Sequence, residues 1–168
     1  MRKRRRRRNG MNSQRAVFEL CDRIRETSLP LHRYLRHGHL EKVYENGLAH
    51  RLRKVGLLVQ QQHPLEVCDE DGATLGSYFA DLFVSDFLIV EVKACRRLAE
   101  EHVAQLLGYL RACRVEHGLL INFGSRKLEI RKYILSDSPS CDSCLPCEAL
   151  AKRGASLRPS ADNQENSS

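Results

Sequence analysis

Three charged residues lie within two apolar stretches of the sequence, and their types could support hydrolytic chemistry. Residues 79–95 read FADLFVSDFLIVEVKAC, with Asp81 in the first stretch and with Glu91 and Lys93 in the second. Side chains two residues apart on a strand project from the same face, and an antiparallel partner joined by a tight turn would bring Asp81 alongside them. Because an unpaired charge in a sheet interior is costly, we expect the three groups to converge at one point.

Two carboxylates and one ammonium group permit two interpretations. The first is a buried ion pair, whose attraction is largely offset by desolvation and which would here leave one carboxylate unpaired. The second is a site for Mg²⁺, which accepts one or two carboxylates, keeps water ligands and leaves positions for a substrate phosphate. Lys93 could then orient or deprotonate a metal-activated water and stabilise charge on a phosphorane-like transition state. The pattern favours this second interpretation, and with it phosphodiester hydrolysis.

The elements that must position these groups follow from the apolar periodicity. Two strands are predicted to form a tight hairpin at Ser85-Asp86, and an edge strand precedes them because Pro64 cannot donate to a ladder. The predicted strands are 57–67, 74–84, 87–94, 116–124 and 127–135, and the predicted helices are 13–28, a short turn near 31–36, 40–54 and 98–113. This order predicts an α/β fold in which helices flank a mixed sheet.

Five ordered blocks of the sequence resemble a known family. Residues 38–44 form a G-x-x-E-x-x-Y stretch (GHLEKVY), and YFADLFV, IVEVKA, AQLLGYLR and GLLINFG follow it. Together these blocks resemble the small bacterial GxxExxY proteins, a branch of the PD-(D/E)XK nuclease superfamily, over residues 13–135. The resemblance implies a restriction-endonuclease-like α/β/α sandwich with a central mixed β-sheet. It also implies a nuclease that depends on Mg²⁺ or Mn²⁺.

The resemblance implies roles for five residues. Asp81 and Glu91 match the metal-binding acids, and Lys93 matches the catalytic lysine. Glu41 matches an acid on the first core helix that can complete the metal site, and Gln105 matches a helix glutamine beside the active site. From the residues alone, Glu41 is also explained as an acid favoured at a helix N-terminus, and Gln105 as a solvent-facing residue at the border of an apolar stripe.

Aromatic and basic residues are further candidates for the same site. Tyr44 and Tyr109 match family aromatics, for which a packing role is an equally good explanation. Basic residues near the ends of predicted strands are candidates for phosphate contacts: Arg96, Arg97, Arg126, Lys127, Arg131 and Lys132. Analogy with the superfamily alone favours DNA over RNA as the substrate. The alternative function is a catalytically silent nucleic-acid-binding or protein-interaction module on the same fold.

Charge is distributed unevenly along the 168-residue chain. The formal net charge is +7, but residues 2–8 hold seven of the 28 Lys and Arg, and the remaining 21 equal the 21 Asp and Glu. We therefore expect a basic, disordered N-terminal arm over 1–12, a PD-(D/E)XK nuclease-like domain over 13–135 and a disordered Cys/Ser-rich tail over 136–168. The basic run is a candidate phosphate-binding arm, and a solubility tail or a start of translation at Met11 are its simpler explanations.

Hydropathy and cysteine content bear on the compartment and on a second metal site. No apolar stretch has the length of a membrane span, so we expect a soluble, cytoplasmic protein, and its oligomeric state is left open. The seven cysteines are an odd number, which argues against a complete set of disulfides. Cys141, Cys144 and Cys147 have a C-x2-C-x2-C spacing that suits zinc or an iron–sulfur cluster, with Cys21 as a candidate fourth ligand. Reduced, unstructured thiols are the default interpretation.

Overall fold

A computed structural model describes the backbone of residues 2–135 and the side chains of residues 15–135. The tail that we predicted over 136–168 lies outside the described residues. In chain order the elements are α1 (Arg2–Leu35), α2 (Glu41–Lys54), β1 (Val59–Cys68), β2 (Thr74–Val84), β3 (Leu88–Lys93), α3 (Glu100–Cys113), β4 (His117–Asn122) and β5 (Glu129–Ile134). No helix in this described part is long and apolar enough to cross a membrane.

The described strands form one mixed sheet with helices on both faces. The spatial order is β1-β2-β3-β4-β5, with β3 and β4 parallel and every other neighbouring pair antiparallel. Helices α1 and α2 cover one face through buried residues such as Ile24 and Leu48, and α3 covers the other through Leu106 and Leu110. The predicted α/β sandwich, its mixed sheet and the edge position of β1 are confirmed.

Helix α1 differs from the prediction. It is continuous from Arg2 to Leu35, whereas we expected a helix over 13–28 and a separate turn beyond Pro30. The turn that contains Pro30 is stabilised by Leu31, which is 2% exposed and packs against Gly47 of α2, so burial offsets the hydrogen bond that proline cannot make. The bounds of α1 include residues 2–12, and the disordered arm expected there and the limits of the domain stay predictions.

The hairpin between β2 and β3 has a longer turn than predicted. The turn consists of residues 85–87 rather than two residues, and Ser85 and Asp86 adopt positive φ angles of 53° and 62°. The extra residue shifts the pairing so that Leu82 lies opposite Val90, and one further step in the same register would align Asp81 with Glu91. Pairing between the two strands ends at Leu82, and β2 continues beside β1 alone. A notch therefore opens beside Asp81.

The loops that follow the parallel strands β3 and β4 approach each other closely at Gly124. A Cβ atom at this position would overlap the carbonyl carbon of Ala94 and the amide nitrogen of Cys95. Because both partners are backbone atoms next to Lys93, neither can move without shifting the end of β3. Glycine is therefore required here by space.

Replacing this glycine tests the requirement. We expect Gly124→Ala to lower the free energy of unfolding by about 2–3 kcal/mol through overpacking, measured by urea denaturation. Gly108→Ala is the matched control, because Gly108 is exposed on α3 and has open space around it. Alanine there should raise the free energy of unfolding by about 0.5–1 kcal/mol. Equal effects of the two substitutions would contradict the close approach.

Candidate active site

Acidic residues from two layers of the fold meet Lys93 at the end of β3. The Nζ atom of Lys93 lies 3.2 Å from Oε1 of Glu91 and 3.6 Å from Oε1 of Glu41. Glu91 and Lys93 are only 2% and 9% exposed. The sheet supplies Glu91 and Lys93, and the first turn of α2 supplies Glu41, so residues distant in sequence share one ammonium group.

The side chain of Asp81 hydrogen-bonds to β3 just beyond the last backbone pair between β2 and β3. The backbone N–H of Val92 donates to Oδ2 of Asp81 at 2.9 Å, so a carboxylate takes the place of a backbone carbonyl. Burial raises the pKa of Asp81, the charges of Glu45 and Glu41 add to the rise, and the Val92 N–H and Lys93 oppose it. The structure thus places Asp81 beside the strand that carries Glu91 and Lys93, as the spacing predicted.

Glu41 is held at the site by the start of α2. It is the first helical residue, where the helix dipole favours an acid, and its Oε2 accepts the backbone N–H of Ala94 at 3.3 Å. Tyr44 fixes the preceding loop, because its hydroxyl donates to the carbonyl of Arg36 at 2.6 Å and its ring stacks on Phe123. Tyr44 is fully buried and packs in the core. The position of Glu41 agrees with its explanation as an acid at a helix N-terminus, and its role in a metal site stays a prediction.

Glu91 is the most electrostatically strained group of the site. Its pKa is raised from 4.5 to about 7, first by burial and then by the neighbouring Asp81 charge, and Lys93 and the backbone N–H of Asp81 only partly compensate. Within the described residues its buried Oε2 atom has no hydrogen-bond partner. Residues 15–135 contain no group of three or more His, Cys, Asp or Glu arranged to hold a metal ion. Two carboxylates supplemented by water are nevertheless a donor set that Mg²⁺ accepts in proteins, and the metal-binding role of Asp81, Glu91 and Glu41 stays a prediction.

Lys93 stays protonated near neutral pH. Burial alone would lower its pKa, but the charges of Glu91 and Glu41, with a smaller contribution from Asp81, raise it above the usual value. An ammonium group in this state can donate hydrogen bonds and stabilise negative charge. It is therefore better suited to orienting a water molecule than to removing its proton.

Helix α3 contributes a tyrosine to the same neighbourhood. The pKa of Tyr109 is raised by burial and, next in size, by the charge of Glu91. Gln105 does not reach the carboxylates in this arrangement, and its Nε2 donates to the Tyr109 hydroxyl at 2.8 Å. The predicted place of Gln105 beside the active site stays a prediction.

The family comparison agrees with this geometry. A family model described as the PD-(D/E)XK nuclease superfamily matches residues 18–133. The chain belongs to this superfamily. No curated protein and no solved structure matches it. The predicted superfamily is thus confirmed and indicates a nuclease-type function, whereas assignment to the GxxExxY branch stays a prediction.

Sequence reasoning missed two residues of this candidate site. Glu45 is 2% exposed, and its carboxylate accepts hydrogen bonds from Lys42 at 2.8 Å and from Gln62 at 3.0 Å. Gln62 also lies 3.4 Å from Oδ1 of Asp81. Glu45 could have been found, because a residue four positions after Glu41 shares its helix face. Nothing in the strand pattern around Gln62 indicated its position.

Asn122 is a third missed residue, and it fixes the two loops beside the site. It is fully buried at the end of β4 and pairs in register with Lys93 of β3. Its Oδ1 accepts the backbone N–H groups of Cys95 at 3.1 Å and of Gly124 at 2.9 Å. One amide oxygen therefore holds both turns that leave the parallel strands, which keeps the end of β3 in place.

The predicted phosphate-contact residues divide into two groups. Arg96 and Arg97 are exposed directly after β3, and Arg126 and Lys127 are exposed in the loop after β4. Because β3 and β4 are parallel, all four residues lie beyond the carboxyl ends of these strands, as the site around Lys93 does. The other two are engaged elsewhere: Arg131 pairs with Glu129 on β5, and Nζ of Lys132 lies 3.8 Å from the centroid of the Phe18 ring. Contacts to nucleic acid stay a prediction for the first group.

The predicted cysteine site is not tested by the structure. Cys21 is a half-buried thiol on α1, and burial raises its pKa. Cys141, Cys144 and Cys147 lie outside the described residues. A zinc or iron–sulfur site that joins them therefore stays a prediction.

The raised pKa of Glu91 predicts a pH-dependent stability in the metal-free protein. Its folded value of about 7 exceeds the unfolded value of 4.5, so the folded state binds more protons between these limits. The resulting stabilisation is fully present below pH 4.5 and is lost as the pH rises through 7, on the order of 3 kcal/mol. We expect Glu91→Gln to lose this part of the slope in urea titrations with EDTA from pH 5 to 8. Parallel slopes for the two proteins would refute the assignment.

Proposed function

We propose that this protein is a metal-dependent nuclease that hydrolyses phosphodiester bonds of nucleic acid, with DNA the preferred substrate by analogy with the superfamily. Mg²⁺ or Mn²⁺ would be held by Asp81 and Glu91, with Glu41 able to contribute. The observation that carries the proposal is the buried Oε2 of Glu91, which has no hydrogen-bond partner among the described residues and lies beside a second carboxylate that raises the pKa of Glu91. A single ammonium group, that of Lys93, serves these acids, so negative charge remains in excess.

Each side chain has a task that follows from its surroundings. A bound divalent cation would supply charge stabilisation and a lowered pKa for a water ligand. Lys93, kept protonated by its acidic neighbours, would donate to the attacking water and stabilise charge that develops on the phosphoryl oxygens. Arg96, Arg97 and the basic residues after β4 would hold the flanking phosphates at the same edge of the sheet.

One observation favours a different function for the same fold. Outside residues 2–8, positive and negative residues are equal in number, so non-specific attraction to a polyanion is weak over most of the chain. A catalytically silent module that binds nucleic acid or protein would be consistent with this balance. It would not explain why a carboxylate oxygen is buried without a hydrogen-bond donor.

A cleavage assay separates these functions. Purified protein is incubated with labelled single- and double-stranded DNA and RNA in Mg²⁺, Mn²⁺ or EDTA. We expect cleavage that requires a divalent cation and falls at least about 100-fold in both variants, because Asp81→Asn removes a metal ligand and Lys93→Ala removes the group that donates to the attacking water. Lys93→Ala should still bind Mn²⁺, whereas Asp81→Asn should bind it weakly.

The matched control is Asp86→Asn. Asp86 lies in the turn of the same hairpin with φ of 62°, a conformation that asparagine adopts readily, so this variant should keep full activity. Metal-dependent cleavage that survives both Asp81→Asn and Lys93→Ala would contradict the proposed site. Binding of nucleic acid without cleavage under any of these conditions would favour the silent module.

A further inference from the structure

Gln62 interrupts β1 directly opposite Asp81. The neighbouring pairs are Gln61 with Leu82 and His63 with Ala80, so Gln62 faces Asp81 across the ladder. Its φ angle is 50°, in the left-handed region that residues other than Gly, Asn and Asp seldom adopt. Such conformations cost energy and are retained where the surrounding structure requires them.

The left-handed conformation of Gln62 lets the consecutive side chains of Gln61 and Gln62 donate to the same carboxylate, that of Glu45. Nε2 of Gln61 donates to Oε1 of Glu45 and Nε2 of Gln62 donates to Oε2, each at 3.0 Å. In a regular strand successive side chains point to opposite faces, so they could not both reach the same carboxylate. The left-handed residue therefore allows both glutamines to bond to Glu45.

At the pair formed by Gln62 and Asp81, the apolar side chains of β1 and β2 change from one face of the sheet to the other. On β1, Val59 belongs to the core under α1 and α2, whereas Leu65 belongs to the core under α3. Leu65 is six positions after Val59, and in a regular strand an even offset puts both side chains on the same face. On β2, Leu82 and Ala80 are divided between the two cores in the same way. Both strands thus turn over at the pair formed by Gln62 and Asp81, where β2 leaves β3.

A turn of this kind does not by itself require glutamine. Glycine or asparagine adopts the left-handed conformation with less strain. What glutamine adds is a side-chain amide that reaches both Glu45 and Oδ1 of Asp81, at 3.0 Å and 3.4 Å. Glu45 is a fixed point, because it is buried and Nζ of Lys42 lies 2.8 Å from each of its oxygens.

We infer that Gln62 is a positioning residue that ties Asp81 to Glu45 and so sets the direction of the Asp81 carboxylate at the notch. The other oxygen of that carboxylate receives the Val92 N–H at 2.9 Å, so Asp81 is held from both sides. The consequence for metal binding rests on the proposed function. The consequence for the Asp81–Val92 hydrogen bond does not.

The test therefore begins without metal. Gln62→Asn keeps a residue that tolerates the left-handed conformation but shortens the side chain by one methylene, so the amide no longer spans Glu45 and Asp81. In EDTA we expect amide hydrogen exchange at Val92 to become about five-fold faster, relative to the Leu120 amide of β4 in the same variant. Gln62→Gly, which removes the strain and the side chain together, should give the same increase. Gln60→Asn, on the same strand, should leave Val92 unchanged.

A second measurement examines the link to the cation. We expect Gln62→Asn to weaken Mn²⁺ binding about 10- to 100-fold in calorimetric titrations without substrate, the usual effect of removing a partner that orients a ligand. Gln60→Asn should bind Mn²⁺ like the wild type. Exchange at Val92 within two-fold of wild type in both Gln62 variants would overturn the inference. If the wild type neither binds Mn²⁺ nor cleaves nucleic acid, the proposed function fails, and the exchange at Val92 still decides the role of Gln62.

Discussion

The burial of the Glu91 carboxylate beside the half-buried carboxylate of Asp81 is the constraint on which the arrangement of this protein depends. Burial disfavours the charge on each of them, and the pKa values of both are raised. Lys93 offsets part of the cost through a contact of 3.2 Å to Glu91, but one ammonium group cannot balance the acids that surround it. A cluster of this kind contributes little to stability when compared with apolar packing. Stability alone therefore does not explain its presence in a well-packed sheet.

The rest of the fold holds this unfavourable cluster together. The notch exists because pairing between β2 and β3 ends at Leu82, and the Val92 N–H then turns to the Asp81 side chain. Helix α2 brings Glu41 from one face of the sheet, and α3 brings Tyr109 from the other. Asn122 joins the loops that follow β3 and β4, so the end of β3 cannot relax away from the acids. The helices on both faces of the sheet and the loops after β3 and β4 thus all position the acidic cluster.

Much of this arrangement could be predicted because it depends on local patterns. Alternation and turn residues located β2 and β3, and the two-residue spacing of Glu91 and Lys93 predicted their shared face. The continuity of α1 could not be predicted, since it depends on packing of Leu31 against a helix that follows later in the chain. The three-residue turn shifted the strand register, and the left-handed residue Gln62 depends on contacts with Glu45 and Asp81. Tertiary contacts decide these features, and they leave no periodic signal.

The effect of a divalent cation on stability tests the central claim most directly. Urea denaturation at pH 8, with saturating Mn²⁺ or with EDTA, should show that the cation raises the free energy of unfolding of the wild type by about 2–3 kcal/mol. It should raise that of Glu91→Gln far less, because the buried oxygen that lacks a partner is no longer a carboxylate. An equal rise in the two proteins, or no rise in the wild type, would contradict the account.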